Sequence, residues 1–284
     1  MSEQKGTTKF RIADVAIICV CLALVEIVAA NGKEDLPHQE GNGIPLYGIM
    51  VTRSDYWVIS TWLEHHAALF VKLAILDGTA DVSGRGMVEA ACRKYENVIY
   101  AHESRFADDA RVMKKSDNSL RSVAMDLLTE RDVRTKWVVV AHPDEFYLQS
   151  LADLAVAADR SGATYIKFKQ LLAMPHSSRK TELADAIQRG PEGFDIVRQI
   201  TKCVVTGNRV EEDRMFKYLA GVKFGWRHGL TIPERFPGKK EFATKGLYVH
   251  YKIHNFDSGA IARHGGFTNS AWSRLYKTSV PVNT

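Results

Sequence analysis

The run Trp137-Val138-Val139-Val140-Ala141, which ends abruptly at His142-Pro143-Asp144-Glu145-Phe146-Tyr147, constrains the fold of this chain more than any other stretch. Successive apolar residues with no polar alternation fit a strand buried on both faces, as in a parallel sheet covered by helices. Open α/β sheets bind their ligands at the carboxyl ends of such strands. A strand that stops in imidazole and carboxylate side chains therefore reads as one that delivers metal ligands to its carboxyl end.

The same grammar recurs upstream. Leu46 to Val51 predicts a first strand ending at Thr52-Arg53, and Ser54 can cap a following helix in which Ile59, Trp62, Leu63 and Phe70 recur at helical spacing. Val71 to Leu76, apolar except for Lys72, predicts a second strand that ends in Asp77-Gly78-Thr79-Ala80-Asp81. A helix through Val88 and Cys92 leads to a third strand, Val98-Ile99-Tyr100, ending at His102-Glu103. Another helix, with Leu120, Val123, Ala124, Leu127 and Leu128 on one face, precedes the strand at Trp137. Alternating strands and helices predict an α/β fold with a mostly parallel central sheet flanked by helices and joined by right-handed crossovers. Because the polar clusters sit at strand carboxyl ends, they are expected to converge on one crevice.

The second half is less regular. Tyr165-Ile166-Lys167-Phe168 alternates like a strand, and residues 172 to 195 read as a polar, mobile excursion. Glu212-Asp213 is expected to open a short helix from Arg214 to Leu219. Gly221 to Trp226 and Leu247-Tyr248-Val249 are further strand candidates, the latter running into His250-Tyr251.

Composition narrows the function classes. With 284 residues, 45% of them hydrophobic, the chain can bury a full core as one large domain. Its 38 basic and 33 acidic residues give a net charge of +5 spread along the chain. No nucleic-acid-binding motif accompanies that charge, which suits an anionic small substrate better than a nucleic acid. Four cysteines without a CxxC spacing argue against zinc-finger and thiol-redox chemistry. Val15 to Ala30 is apolar except for Glu26 and follows Lys5, Lys9 and Arg11. Residues 1–30 therefore read as a signal anchor or signal peptide, with membrane association through residues 12–30 and a membrane-anchored or secretory location. A buried helix and a cytoplasmic location fit the same residues. Residues 31–45 read as a linker, which leaves 46–284 as the folded domain.

Taken in order, these clusters resemble the GT-A glycosyltransferases, in particular the family-two-like group whose metal motif is extended to Asp-x-Asp-Glu-Phe. The resemblance spans about residues 46 to 267. Trp62-Leu63-Glu64-His65-His66 and Asp77-Gly78-Thr79-Ala80-Asp81 are similar to the group's Glu-Trp-x-x-x-His and Asp-x-Ser-x-Asp patterns, and His142-Pro143-Asp144-Glu145-Phe146 to its metal motif. The resemblance implies transfer of a sugar from a nucleotide-diphospho-sugar donor to a glycan or other hydroxyl acceptor, with inversion and with a divalent cation on the diphosphate. It places Thr52, Arg53, Asp77, Asp81, Glu103, Arg121 and His142 on the sugar nucleotide. Asp144, His142 and His250 would ligate the metal, with Glu145 supporting them from behind. Histidine in place of the first aspartate favours Mn²⁺ over Mg²⁺. Glu212-Asp213 resembles the group's Glu-Asp motif, and Asp213, with Glu212 as second choice, would take the proton of the acceptor hydroxyl. Arg227-His228 lies where relatives carry His-Glu, and Arg263 to Phe267 follows a closing His-Tyr segment at His250-Tyr251.

Two other readings share these residues. Val-Val-Val-Ala-His-Pro-Asp-Glu is also similar to the zinc motif of the N-acetylglucosaminyl deacetylases, although one of their paired aspartates is missing and the motif arrives in mid-chain. His250 and His254 would then supply later ligands. Loss of the first metal-motif aspartate also fits a non-catalytic sugar-nucleotide or glycan-binding protein on the same fold.

Overall fold

The computed structural model describes residues 44–53, 55–56, 58–104, 120–128, 136–175, 201–205, 211–218, 223–224, 230–231 and 240–251. Strand β1 (Leu46–Thr52) leads to helix α1 (Ile59–His66), which continues in a 3₁₀ turn, Ala67–Leu69. Then follow β2 (Lys72–Asp77), α2 (Val82–Cys92), β3 (Val98–His102), a helix α3 at residues 120–126, and β4 (Trp137–Ala141). Beyond β4 come β5 (Glu145–Tyr147), α4 (Leu151–Arg160), β6 (Tyr165–Pro175), β7 (Thr201–Val205), β8 (Glu211–Lys217), β9 (Lys223–Phe224), β10 (Leu230–Thr231) and β11 (Gly246–His250).

The main sheet runs β3-β2-β1-β4-β8-β6-β11-β5, with β7 added to β6, while β9 and β10 form a separate antiparallel pair. The first four strands are mutually parallel, as their alternation with helices leads one to expect. From β8 onward the sheet is mixed. Strand β8 is antiparallel to both β4 and β6, β11 is parallel to β6, and β5 is antiparallel to β11. The fold is therefore α/β around a mixed sheet.

Period-2 alternation divides β1 between two cores. Leu46 and Met50 pack with Trp62, Leu63, Leu73, Trp137, Val139 and Ala155, on the side covered by α1, α2 and α4. Tyr47 and Ile49 face the other side, against Leu120 and Ala124 of α3 and Val138, Val140 and Phe216. Because both faces are covered, β4 is buried along its whole length. Two helices carry side-chain caps. Asp81 accepts from the Gly84 amide at 2.5 Å at the start of α2, and Ser150 accepts from the Asp153 amide at 3.2 Å at the start of α4. The cap expected from Ser54 lies outside the described residues. Phe70 falls beyond α1, after the 3₁₀ turn, and still reaches the core.

Two expectations are corrected. Residues 211–217 form a strand rather than the start of a helix, so Glu212 and Asp213 are strand residues and Arg214 to Lys217 are not helical. This segment lies between β4 and β6, where it completes the ladders of both strands, and tertiary pairing overrides a weak local preference. Alternation is hidden because Ile166 pairs with Met215 and Lys167 with Asp213, leaving Arg214 as the extra residue of a β-bulge. Residues 172–175, expected to open a polar excursion, belong instead to β6, which continues to Pro175, and residues 176–195 lie outside the described residues. Among the described residues no helix is long and apolar enough to cross a membrane, and residues 12–30 lie outside them.

Helix α1 is tied to β5 by two side chains one turn apart. The Trp62 indole Nε1–H donates to the Glu145 carbonyl at 2.8 Å, and the Tyr147 amide donates to His66 Nε2 at 3.4 Å. The two rings stack with centroids 4.7 Å apart. Because His66 Nδ1 lies 3.0 Å from the Trp62 carbonyl, which can only accept, the proton sits on Nδ1 and the ring is neutral. Burial pushes the His66 imidazole down to about 3. A base whose folded pKa is depressed contributes stability above its unfolded pKa, near 6.5, and loses it as the pH falls toward the folded value. The unfolding free energy of the wild type is therefore expected to drop by about 2 kcal/mol more than that of His66→Gln between pH 7 and pH 5. Urea denaturation at the two pH values measures the difference, and equal drops would remove His66 from the neutral clamp.

Candidate metal centre

The parallel register brings the strand ends level. Thr52 pairs with Asp77 and Asp77 with His102, while β4 delivers His142 and Asp144 immediately beyond its last residue, Ala141. One ligand atom from each of His142, Asp144 and Glu145 lies within 4.8 Å of the others. Sequence reasoning placed Glu145 behind His142 and Asp144, and here one of its carboxylate oxygens lies level with their ligand atoms.

Each member has a distinct environment. Asp144 Oδ2 is 2.9 Å from His250 Nε2, and Gln170 meets the other ring nitrogen of His250. Burial alone would raise the Asp144 carboxyl, but His250 and Arg214 hold it below the usual carboxylate range. His250, expected as a metal ligand, thus makes its contact to Asp144 from outside the triad. Glu145 is 1% exposed. Its Oε1 accepts from Arg214 Nη2 at 2.5 Å, and its Oε2 is buried without a hydrogen-bond partner. Burial pushes Glu145 up to about 7 despite the guanidinium beside it.

The bulge explains how Arg214 comes to be there. Consecutive residues at a bulge can point to one side of the sheet, so Arg214 shares a face with Met215 and reaches Glu145. It also pairs with Glu212, and its guanidinium carbon stands 5.4 Å from the centre of the Tyr248 ring. The Tyr248 hydroxyl donates to Glu212 at 2.9 Å. Burial would lower the pKa of Arg214, but the two carboxylates hold it above its ordinary value and keep it charged.

On the other flank, Arg121 of α3 is 2% exposed, and its Nη2 lies 3.2 Å from His142 Nε2. Guanidinium nitrogens only donate, so His142 Nε2 accepts and the His142 proton sits on Nδ1. Asp55, which sequence reasoning missed, accepts from the Thr52 hydroxyl at 3.0 Å and the Arg53 amide at 2.9 Å. Its enclosed position and the Asp144 charge push it up to about 7, so the two carboxyls sense each other.

Other expected site residues have internal partners. Asp77 is fully buried; its Oδ1 accepts from the Thr79 amide at 2.9 Å and hydroxyl at 2.6 Å, and its Oδ2 accepts from Tyr100 at 3.0 Å. It holds the turn that follows β2. Asp81 caps α2, and the amide of Glu103 donates to the Asp77 carbonyl at 2.9 Å. Thr52 and the Arg53 amide fix Asp55. Arg227, His228, His254 and Arg263 to Phe267 lie outside the described residues.

These residues fit a divalent cation. Two carboxylates and an imidazole converge, and a buried carboxylate oxygen without a partner is the kind of atom that a cation would satisfy. Asp144 and Glu145 would hold the ion directly, while His142 can join only on losing its contact with Arg121. No protein-family model and no curated protein matches the chain.

Removing Arg214 would strand the buried Glu145 carboxylate and the half-buried Glu212. Arg214→Leu is expected to cost roughly 3–5 kcal/mol of unfolding free energy, the usual penalty for breaking one side of a buried ion pair. Urea denaturation at pH 8 checks this, and a loss below about 1 kcal/mol would contradict the buried network.

Proposed function

We propose that the protein is a GT-A-type glycosyltransferase that moves a sugar from a nucleotide-diphospho-sugar to a glycan or other hydroxyl acceptor, with inversion and with a divalent cation, Mn²⁺ rather than Mg²⁺. The observation that carries this reading is the convergence of His142, Asp144 and Glu145 at the carboxyl end of a parallel block, beside the turns that follow β1 and β2. That crevice is where α/β sheets take nucleotides. A cation bound there would offset the negative charge that develops on a leaving diphosphate.

The chain's own residues divide the remaining work. Arg121, a planar two-pronged donor, is suited to phosphate oxygens. His250, itself in contact with Gln170, orients Asp144. Antiparallel pairing of β8 with β4 carries Glu212 and Asp213 toward the end of the sheet where His142 lies. Glu212 is engaged by Arg214 and Tyr248, so the base role is assigned to Asp213, which would take the acceptor proton as the hydroxyl oxygen attacks the anomeric carbon. Membrane association through residues 12–30 would place this chemistry at a bilayer surface.

The zinc-deacetylase reading needs a later histidine as ligand. Of the two candidates, His250 is in contact with Asp144, which supports that reading less well, and His254 lies outside the described residues.

Mn²⁺-dependent release of nucleotide from one member of a panel of UDP-, GDP- and dTDP-sugars tests the assignment. Asp144→Asn is expected to lower the release by more than about 100-fold, beyond the loss typical of a supporting residue. Asp213→Asn is expected to cut transfer to acceptor by about 10²–10⁴-fold while donor binding survives. Donor binding without turnover under any metal would favour the non-catalytic binder. Absence of donor binding, with tightly held zinc and release of acetate from N-acetylated sugars, would favour the deacetylase.

A further inference from the structure

We propose that Arg121 and His142 form an interlock that makes cation binding and phosphate binding a single coupled event. The proposal rests on the metal and diphosphate roles given to this crevice above, and it adds the order and the energetic linkage of the two.

A neutral imidazole has one ring lone pair. In His142 that lone pair is on Nε2 and receives the Arg121 guanidinium at 3.2 Å. A cation cannot use the same lone pair while Arg121 stays, and the fixed positive charge also opposes the arrival of a second one. The carboxylates of Asp144 and Glu145 therefore meet an incoming metal alone, with the imidazole withheld. Three ligand atoms within 4.8 Å become a working set only when the guanidinium has somewhere better to go.

The guanidinium moves as a side chain rather than as part of a moving helix. Leu120 and Ala124, on either side of Arg121, are packed with Tyr47, Ile49 and Val140 under the sheet, which pins the backbone of α3. Arg121 is 2% exposed, so it does not exchange His142 for bulk water at little cost. A phosphate brought to the crevice is the partner that changes the balance, because its oxygens accept both prongs of the guanidinium and carry the charge that His142 lacks. When Arg121 turns to the phosphate, the His142 imidazole is released to join the two carboxylates. By reciprocity the cation then strengthens phosphate binding by the same factor.

Wild type is expected to bind Mn²⁺ alone weakly, and Arg121→Met to bind it roughly 10-fold more tightly, within the 5- to 150-fold range usual for coupled sites. Electron paramagnetic resonance of free Mn²⁺, on the full chain and against protein-free blanks, reads this directly. Inorganic phosphate should tighten Mn²⁺ binding in wild type and do so less in Arg121→Met. A readout independent of the variant's folding is the ¹⁵N spectrum of metal-free wild type, with His142 assigned through His142→Gln. The Nδ1–H tautomer is expected, and the Nε2–H tautomer would overturn the interlock. Equal Mn²⁺ affinity in wild type and Arg121→Met, with both binding, would overturn the interlock and leave the metal centre standing. No Mn²⁺ binding by either protein would overturn the metal centre and the interlock with it.

Discussion

The buried guanidinium of Arg214 is the charge on which the site depends. Glu145 and Glu212 are brought to one buried nitrogen group, whose charge offsets the cost of holding a carboxylate at the fully enclosed Glu145. One positive charge between two carboxylates leaves an acidic excess, to which Asp144 and the neighbouring Asp55 add. Burial raises Glu145 and Asp55 toward neutrality, with the Asp144 charge adding to it, and one oxygen of Glu145 is left without a partner. A polypeptide that concentrates carboxylates in this way at the open end of a parallel block carries much of the cost of a cation site in advance.

Holding that arrangement still falls to groups that make no contact with the expected ligand. Trp62 and His66 grip the backbone of β5 at Glu145 and Tyr147, so the strand that carries Glu145 cannot slide relative to α1. From the opposite edge, β11 pairs with β5 and sets His250 opposite Glu145 in register, where it reaches Asp144. A side chain at Gly246 would overlap the Phe168 ring, so glycine lets β11 lie close against β6. The same strand ladder thus positions both the carboxylates and their partners, which links packing of the sheet to geometry of the site.

The parallel half was legible because strands buried on both faces leave uninterrupted apolar runs, as in β1, β2 and β4, and because their polar ends stand out. The polar end of β4 at His142 and Asp144 stood out for the same reason, whereas Glu145 was expected only behind them. What stayed hidden depends on non-local pairing. Strand β8 carries Glu-Glu-Asp-Arg ahead of its apolar residues, and the bulge at Arg214 breaks the alternation that would mark a strand. Arg214 itself resembles a solvated charge until Glu145, 69 residues earlier, is brought against it. Gln170 was missed because β6 outlasts its recognisable beginning, and Asp55 because its raised pKa comes first from burial and then from the Asp144 charge, both of which only the fold creates. The i, i+4 spacing of Trp62 and His66 marked one helix face, but nothing local showed that the face would hold β5.

Anomalous diffraction at the manganese edge, from crystals of the protein grown with Mn²⁺, tests the central claim most directly. The account requires a peak within coordination distance of both Asp144 and Glu145, beside His142 at the end of β4. A map without that peak at saturating Mn²⁺, or with manganese held only by other carboxylates, would contradict it.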